Sequence, residues 1–289
     1  MSLPQSIIEE ITYNTDGSVA IIKFNRPSKL NAFGQNHYRR IMDLLNLAEN
    51  DPNIIATILV SSGKFFSAGA DTSIGSFIAS IQQSETDELS KRGKLESFLK
   101  ETFLANNTMM VDAFTRHSKI LVAALNGPVI GLSAALVMLC DIILTNDLDD
   151  VYMLFPFATL GLVSEGATSV TLFQRLGVTR ANEALLLSRR IPGRELKEAG
   201  VVVTSFSNDK NKLGTEEFNE AVINNMKSRL QGLNFDSIKL IKKLIGDNWR
   251  QKIDSSNINE GVEGLRRFLT GIPGEKFQQL AKRQLKHKL

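Results

Sequence analysis

The chain has 289 residues, 43% hydrophobic and 22% charged, which suits a soluble globular protein with a substantial core in one large or two modest domains. Its 34 basic and 31 acidic residues nearly balance, so no global field calls for nucleic acid. A single cysteine, Cys140, excludes a disulfide framework and a cysteine-rich metal site, and with three scattered histidines no zinc centre is expected.

The longest nearly apolar run, residues 129–140, is well short of the ~20 residues that span a bilayer. No charged-then-apolar leader precedes Ile7, so neither a membrane protein nor a classically secreted one is expected.

In chain order, residues 8–13 and 18–24 alternate around Thr15-Asp16-Gly17, which predicts a hairpin. Asn25-Arg26-Pro27 breaks the second strand. Residues 35–47 then place Tyr38, Ile41, Met42 and Leu45 at helical spacing. Asp51-Pro52 ends that helix, and the β-branched run 54–60 predicts a strand buried on both faces. Strand, helix and strand in succession predict an α/β class with a right-handed crossover.

Residues 61–71, SSGKFFSAGAD, carry the buried strand into small residues before Asp71 opens a short helical turn. Small residues there let backbone approach a ligand with its amides free, although an ordinary glycine-rich turn has the same composition. Residues 77–100 are polar and charged, predicting a solvated helical insertion over the ligand's entrance. A helix is expected over 102–117 with Phe103, Met110, Ala113 and Phe114 in the core. His117 at its end reads as a surface or capping residue.

The strand 120–125 leads into NGPVIGLSAALVMLCDIIL: a turn at Asn126-Gly127-Pro128, a helix from Gly131, and a strand from Asp141. The first turn of that helix offers unpaired N–H groups to developing negative charge. In residues 155–168 the only ionisable side chain is Glu165, set among Phe155, Phe157, Leu160, Leu162 and Val163. A carboxyl in such company is hard to ionise, which raises its pKa toward the range of a general base. Taken alone, Glu165 reads better as a plain acid opening a helix over 166–176, where it complements the dipole. Two loop-to-helix openings, at Ala70 and Leu132, shift the balance, because each can supply one amide to an oxyanion facing that carboxylate.

Beyond Val203 the pattern is helical. Thr215 is placed to cap a helix carrying Phe218, Val222, Met226 and Leu230, Asp236 opens residues 238–245, and Ile258, Val262, Leu265 and Leu269 mark another apolar face. Pro273-Gly274 separates that face from Phe277, Leu280, Ala281 and Leu285. Lys282, Arg283, Lys286 and Lys288 gather near the end.

Asn31-Ala32 after a strand, Phe66-Ser67-Ala68-Gly69-Ala70-Asp71, Asn126-Gly127-Pro128 through Gly131, and Cys140-Asp141-Ile142 together resemble the enoyl-CoA hydratase/isomerase superfamily, the crotonases, over roughly residues 8–203. The resemblance implies an α/β crotonase (ClpP-like) spiral of ββα repeats over residues 1–205. A helical region over 206–289 would build a homotrimer or a dimer of trimers. It implies that the amides of Ala70 and Leu132 hold the thioester oxygen of an acyl-CoA, and that Ser28, Leu30, Ala68, Gly69, Asp71 and Thr72 contact the CoA. The two glutamates of the family's hydratases correspond to Ala135 and Phe157, so hydration is not expected, nor is a hydrolase needing a polar water site.

Glu165 stands instead where the family's enoyl-CoA isomerases, the fungal peroxisomal type in particular, carry a single catalytic glutamate. The implied reaction moves the double bond of a 3-enoyl-CoA to the trans-2 position without metal or redox cofactor. Asn107 is placed either to orient Glu165 or simply as an exposed helix residue. A dienoyl-CoA isomerase with an additional acid, or a catalytically silent protein binding acyl-CoA or a partner, are the alternatives. The final His287-Lys288-Leu289 resembles the peroxisomal serine-lysine-leucine address, implying an import receptor as partner, although a chance basic-plus-leucine ending has the same form.

Overall fold

A computed structural model describes residues 3–71, 87–207, 211–282 and 284. Its frame is a six-stranded sheet in the order β1-β2-β3-β4-β6-β9, formed by Ile11–Asp16, Val19–Phe24, Ala56–Ser61, Ile120–Leu125, Ile142–Thr145 and Thr204–Ser205. The first pair is the expected hairpin, with Asp16 opposite Val19 across a two-residue turn. From β2 onward every pairing is parallel. Helix α2 (Gln35–Asn50) makes the crossover from β2 to β3. A smaller sheet joins β5 (Val129–Ile130), β7 (Tyr152–Leu154) and β8 (Ile191–Pro192).

All six residues of β3 are buried, as its unbroken apolar run requires. Successive side chains enter opposite cores. Leu59 joins Ile41, Leu45, Met110 and Phe114 on one face. Ile58 and Val60 join Phe218, Val222, Met226 and Leu230 on the other, so α9 (Thr215–Leu230) covers the second face of the sheet as part of the core that β2 and β3 share.

Several expectations are corrected. Ile8 lies in a short helix, α1 (Gln5–Glu10), and the first strand starts at Ile11; α1 puts Ile7 and not Ile8 inward, a choice that residues 7–11 leave open by pattern. The described part of the insertion is α3 (Glu88–Leu99), which buries Leu95 and Leu99 against Leu265, Phe268 and Phe277, so it is not merely solvated. A π-helical turn, Lys100–Leu104, joins α3 to α4 (Ala105–Arg116). Residues 72–86, with the helical turn expected after Asp71, and the terminal tripeptide lie outside the described residues. The helix expected from Asp236 is α10 (Phe235–Asp247), whose Asn234 cap accepts from Ser237 N. Gly214 rather than Thr215 caps α9, its amide donating to Glu217 Oε2 at 2.9 Å.

α11 (Arg250–Phe268) departs most from its pattern. It buries Ser256, Asn257, Glu260, Gly261 and Gly264 alongside Leu265 and Phe268, while Ile258 is 49% exposed. Small and polar residues are inside because the helix lies against Phe103 and Leu104. A β-carbon on Gly261 would stand 2.6 Å from Leu104 Cδ1, and one on Gly264 2.8 Å from the Phe103 ring. α12 (Ile272–Ala281) then returns Phe277 to the same cluster. No described helix is long and apolar enough to cross a membrane, and no group of three or more possible metal ligands exists among the described residues.

His117 is not on the surface. It is 3% exposed, shares a 2.8 Å hydrogen bond between Nε2 and Thr57 Oγ1, and places Nδ1 3.2 Å from Glu49 Oε2, which also accepts from Ser118 N. Burial holds the imidazole below its usual value, and Glu49 only partly offsets this. Burial would raise Glu49, but hydrogen bonds from His117 and Ser118 outweigh it and hold the carboxyl at about 2. Both groups therefore bind fewer protons folded than unfolded at acid pH, and stability falls as pH falls. Glu49→Gln should lower the thermal midpoint at pH 7, and the gap from the parent should close as pH drops below the ordinary carboxylate value toward 2. Thermal melts across that range check it.

Candidate active site

The site forms where the chain leaves the carboxyl ends of β2, β3 and β4. Asn31, fully buried, holds the first exit: its Oδ1 accepts from Arg26 N at 2.7 Å and its Nδ2 donates to Ser62 O and Phe65 O, both at 2.9 Å. This pins the loop after β2 to the loop after β3. Phe33 N then donates to Gly69 O and Asp71 N to Phe33 O, a short parallel bridge between Phe33 and Ala70. In such a bridge the N–H of Ala70 itself points away from its partner.

On the other side Phe66 N donates to Pro128 O and Ile130 N to Ser67 O. Gly69 sits at φ +86°, and a β-carbon there would lie 2.6 Å from Ile130 O, so only glycine lets the two loops meet. Gly131, at φ +62°, turns the chain into α5 (Leu132–Val137). Ala70 and Leu132 both line one cavity of about 600 Å³, and neither amide finds an acceptor among the described residues.

Glu165 lines the same cavity, 7% exposed, in the loop between β7 and α6 (Thr168–Leu176), which is followed by α7 (Val178–Leu186) and α8 (Gly193–Glu198). It stands outside the helix: Gly166 and Ala167 both take positive φ, so α6 begins two residues later than its pattern predicts. Asn107 is buried on α4 and its Nδ2 donates to Glu165 Oε2 at 3.3 Å, which decides between the two readings of that residue in favour of contact. Burial first, and then the negative charge of Glu260, push the Glu165 carboxyl up to about 8 against the opposing hydrogen bond from Asn107.

The remaining walls are Phe98, Phe103, Phe157, Leu160, Leu162, Phe268 and Phe277, an apolar pocket beyond the carboxyl. Ala135 is fully buried behind Glu165, where a β-carbon on Gly166 would stand 2.6 Å from Ala135 Cβ. At the mouth, Glu10, Arg26, His37 and Asp71 form a polar network, with Arg26 3.6 Å from Asp71 and His37 2.6 Å from Glu10.

Of the sequence-predicted residues, Glu165, Ala70, Leu132, Asn107, Ala68, Gly69 and Asp71 share the cavity. Ser28 and Leu30 do not line it; both lie exposed on the turn before Asn31, where the Leu30 carbonyl accepts from Ala68 N at 2.9 Å. Thr72 lies outside the described residues. Sequence reasoning missed Glu260, whose acid lies 95 positions along the chain on a helix with no apolar signal on that face. Tyr38, expected only as a core residue, also lines the cavity, its hydroxyl pushed up by burial and further by Glu165 and Asp71.

Among solved structures, an enoyl-CoA hydratase from Mycobacterium avium subsp. paratuberculosis matches with TM-score 0.76 and 20% identity, covering 93% of this chain and 98% of that one. At that identity the likeness defines the fold alone, the crotonase spiral. The profile described as Enoyl-CoA hydratase/isomerase matches residues 14–234. The chain is 36% identical over 281 residues to the 3,2-trans-enoyl-CoA isomerase of Saccharomyces cerevisiae, with 97% of each covered. It is 37% identical over 279 residues to the Delta(3,5)-Delta(2,4)-dienoyl-CoA isomerase of the same yeast, covering 96% of this chain and 98% of that relative. The chain belongs to the enoyl-CoA hydratase/isomerase family.

Gly69→Ala should cost about 1–3 kcal/mol of stability, since it forces an alanine into left-handed backbone against a carbonyl. Denaturant unfolding measures it, and an unchanged midpoint would mean that the two loops are not locked together there.

Proposed function

We propose that the protein is an isomerase of the β-oxidation of unsaturated fatty acids, converting a 3-enoyl-CoA to the trans-2-enoyl-CoA. The observation that carries this reading is one buried carboxyl, Glu165, sharing a cavity with two unengaged amides. The thioester oxygen sits between the amides of Ala70 and Leu132, which acidifies the C2 hydrogens. Each amide contributes roughly 3 kcal/mol to the dienolate. Glu165 takes a proton from C2, the electron pair delocalises through C3=C4 into the thioester, and the same carboxyl returns the proton at C4. The reaction leaves no oxidant, metal or water to be supplied.

The mouth network and the Ala68–Asp71 backbone receive the pantetheine end, Ser28 and Leu30 meet the CoA outside the cavity, and the phenylalanine-rich pocket takes the acyl chain. A dienoyl-CoA isomerase is the second reading, because a relative of that name is comparably similar. Against it, the acids lining the cavity among the described residues are Glu165 and Asp71, and Asp71 faces Arg26 at the mouth.

The division into a catalytic spiral over 1–205 and an oligomer-building region over 206–289 is likewise a proposal. α10 supports it: none of its residues is buried, and Leu240, Ile241, Leu244 and Ile245 are each more than half exposed on one helix. A trimer or dimer of trimers covers that face, and light scattering that gave a monomer's mass would remove the idea.

Following conjugation by ultraviolet absorbance with 3-enoyl-CoA and 3,5-dienoyl-CoA in parallel tests the reaction. Glu165→Gln should lower kcat by roughly 100- to 10,000-fold. Because the base must be ionised, activity should rise with pH through about 8, the value to which burial pushes Glu165. Asn107→Ala removes a bond that favours the ionised form, so the rise should move to higher pH. A pH-independent rate, or full activity in Glu165→Gln, would overturn the assignment.

Location in the peroxisome rests on His287-Lys288-Leu289, read by an import receptor. An amino-terminal fluorescent fusion should enter peroxisomes and, with residues 287–289 removed, stay in the cytosol. Unchanged import would eliminate the signal.

A further inference from the structure

α11 approaches the base from behind the cavity wall. Glu260, 7% exposed, accepts from Ala167 N through Oε2 at 2.7 Å, and through Oε1 from Ser169 N at 2.8 Å and Ser256 Oγ at 3.2 Å. Ser256 Oγ is also 2.5 Å from Ser169 Oγ. The contacts with Ala167 and Ser169 fall on the turn that directly follows Glu165 and on the first residues of α6, while that between Ser256 and Glu260 stays within α11. The same helix sends Arg267 Nε to Gly161 O at 2.7 Å and Asn257 Nδ2 to Thr108 O at 3.2 Å, so it also ties the start of the Glu165 loop and the residue next to Asn107.

Ala167 sits at φ +61°, a conformation that a β-carbon disfavours by roughly 1–2 kcal/mol, so this turn has to be held. A serine or asparagine could accept one of these amides without burying a charge, whereas a carboxylate is a costly tie at a buried position. What a carboxylate adds is a negative field on its neighbour. We propose that Glu260 is a positioning residue for Glu165: it fixes the turn that presents the base and places a second acid behind the wall in which the base works.

The inference rests on Glu165 being the base. Burial followed by the charge of Glu260 raises the Glu165 carboxyl; burial raises that of Glu260 too, but there the hydrogen bonds from Ser169, Ala167 and Ser256 and the dipole of α6 oppose it and favour Glu260 as the anion of the pair. Charge is thus divided unequally between the two acids. The other groups facing Glu165 are Asn107 from α4, which opposes the shift, and Tyr38 from α2, neutral because burial raises its hydroxyl; Asp71 lies farther out beside Arg26.

Glu260→Gln keeps the shape and removes the charge. Its kcat/KM profile should rise at a pH lower than the parent's by about half a unit or more, with kcat reduced several-fold and KM little changed. Glu260→Asp should return the rise toward the parent's pH. A role confined to holding the helix would lower thermal stability and kcat in both variants with the profile unmoved, and that result would overturn the proposal.

Titration of the glutamate side-chain carboxyls by carbon-13 NMR, in the parent, Glu260→Gln and Glu260→Asp, needs no turnover. Removing the charge at 260 should lower the Glu165 midpoint while Glu260→Asp keeps it near the parent's, and identical midpoints in all three would refute the coupling. Should the parent fail to isomerise 3-enoyl-CoA, the base assignment falls while this titration still decides whether the two acids interact.

Discussion

A carboxyl group kept out of water is the constraint on which this structure depends. Glu165 gains nothing in stability from its place, since an ionised carboxylate there is penalised and a neutral one still needs a partner. The partner is Asn107, a donor that satisfies the acid without neutralising it. An arginine or lysine in that position would hold the carboxylate permanently charged and weaken it as a base. Burial supplies basicity and the amide donor restrains it.

Such an acid has to be delivered by a rigid frame, and two parts of the chain do so. The parallel strands β2, β3 and β4 end together: hydrogen bonds from Asn31, Phe33 and Asp71 join the first two exit loops, those of Phe66 and Ile130 join the third, and the amides of Ala70 and Leu132 find no acceptor among the described residues. From the other side, α11 grips the loop of Glu165 by Arg267 and Glu260 and the helix of Asn107 by Asn257. In the proposed reaction the sheet would place what stabilises the negative oxygen, and the carboxy-terminal helices would hold what moves the proton. Because the two groups come from regions far apart in sequence, small changes in how α11 packs would be felt at the base.

Shape also shuts out competing chemistry. Ala135 lies tight behind Gly166, and Phe157 faces the cavity as hydrocarbon. Neither offers a hydrogen bond to a water beside the acyl chain. Among the described residues the acids lining the cavity are Glu165 and Asp71, and Asp71 lies beside Arg26.

Much of this was legible in the sequence because it is written in local terms. The hairpin, though its turn lies at Gly17-Ser18 and not at Thr15-Asp16-Gly17, the helix beginning at Gln35, the buried β3 and the glycine-bearing loops at Gly69 and Gly131 each follow from backbone sterics or from a period set by neighbours a few residues apart. Glu165 stood out because it is the only ionisable side chain in residues 155–168, a stretch rich in apolar residues. Three things were beyond reach for a shared reason. His117 is buried by Glu49 and Thr57, Ile8 falls in a helix because Ile7 has a place to go, and α11 turns its serine, asparagine, glutamate and glycine face inward. In each case partners distant in the chain determine whether a polar group is satisfied, and apolar periodicity marks the wrong face when the inward side is chosen for close approach and hydrogen bonds. The sequence by itself determined most strands, the glycine-bearing loops and the candidate acid, Glu165; only the tertiary structure decided which buried groups surround it, because desolvation and hydrogen bonding depend on distance in space and not along the chain.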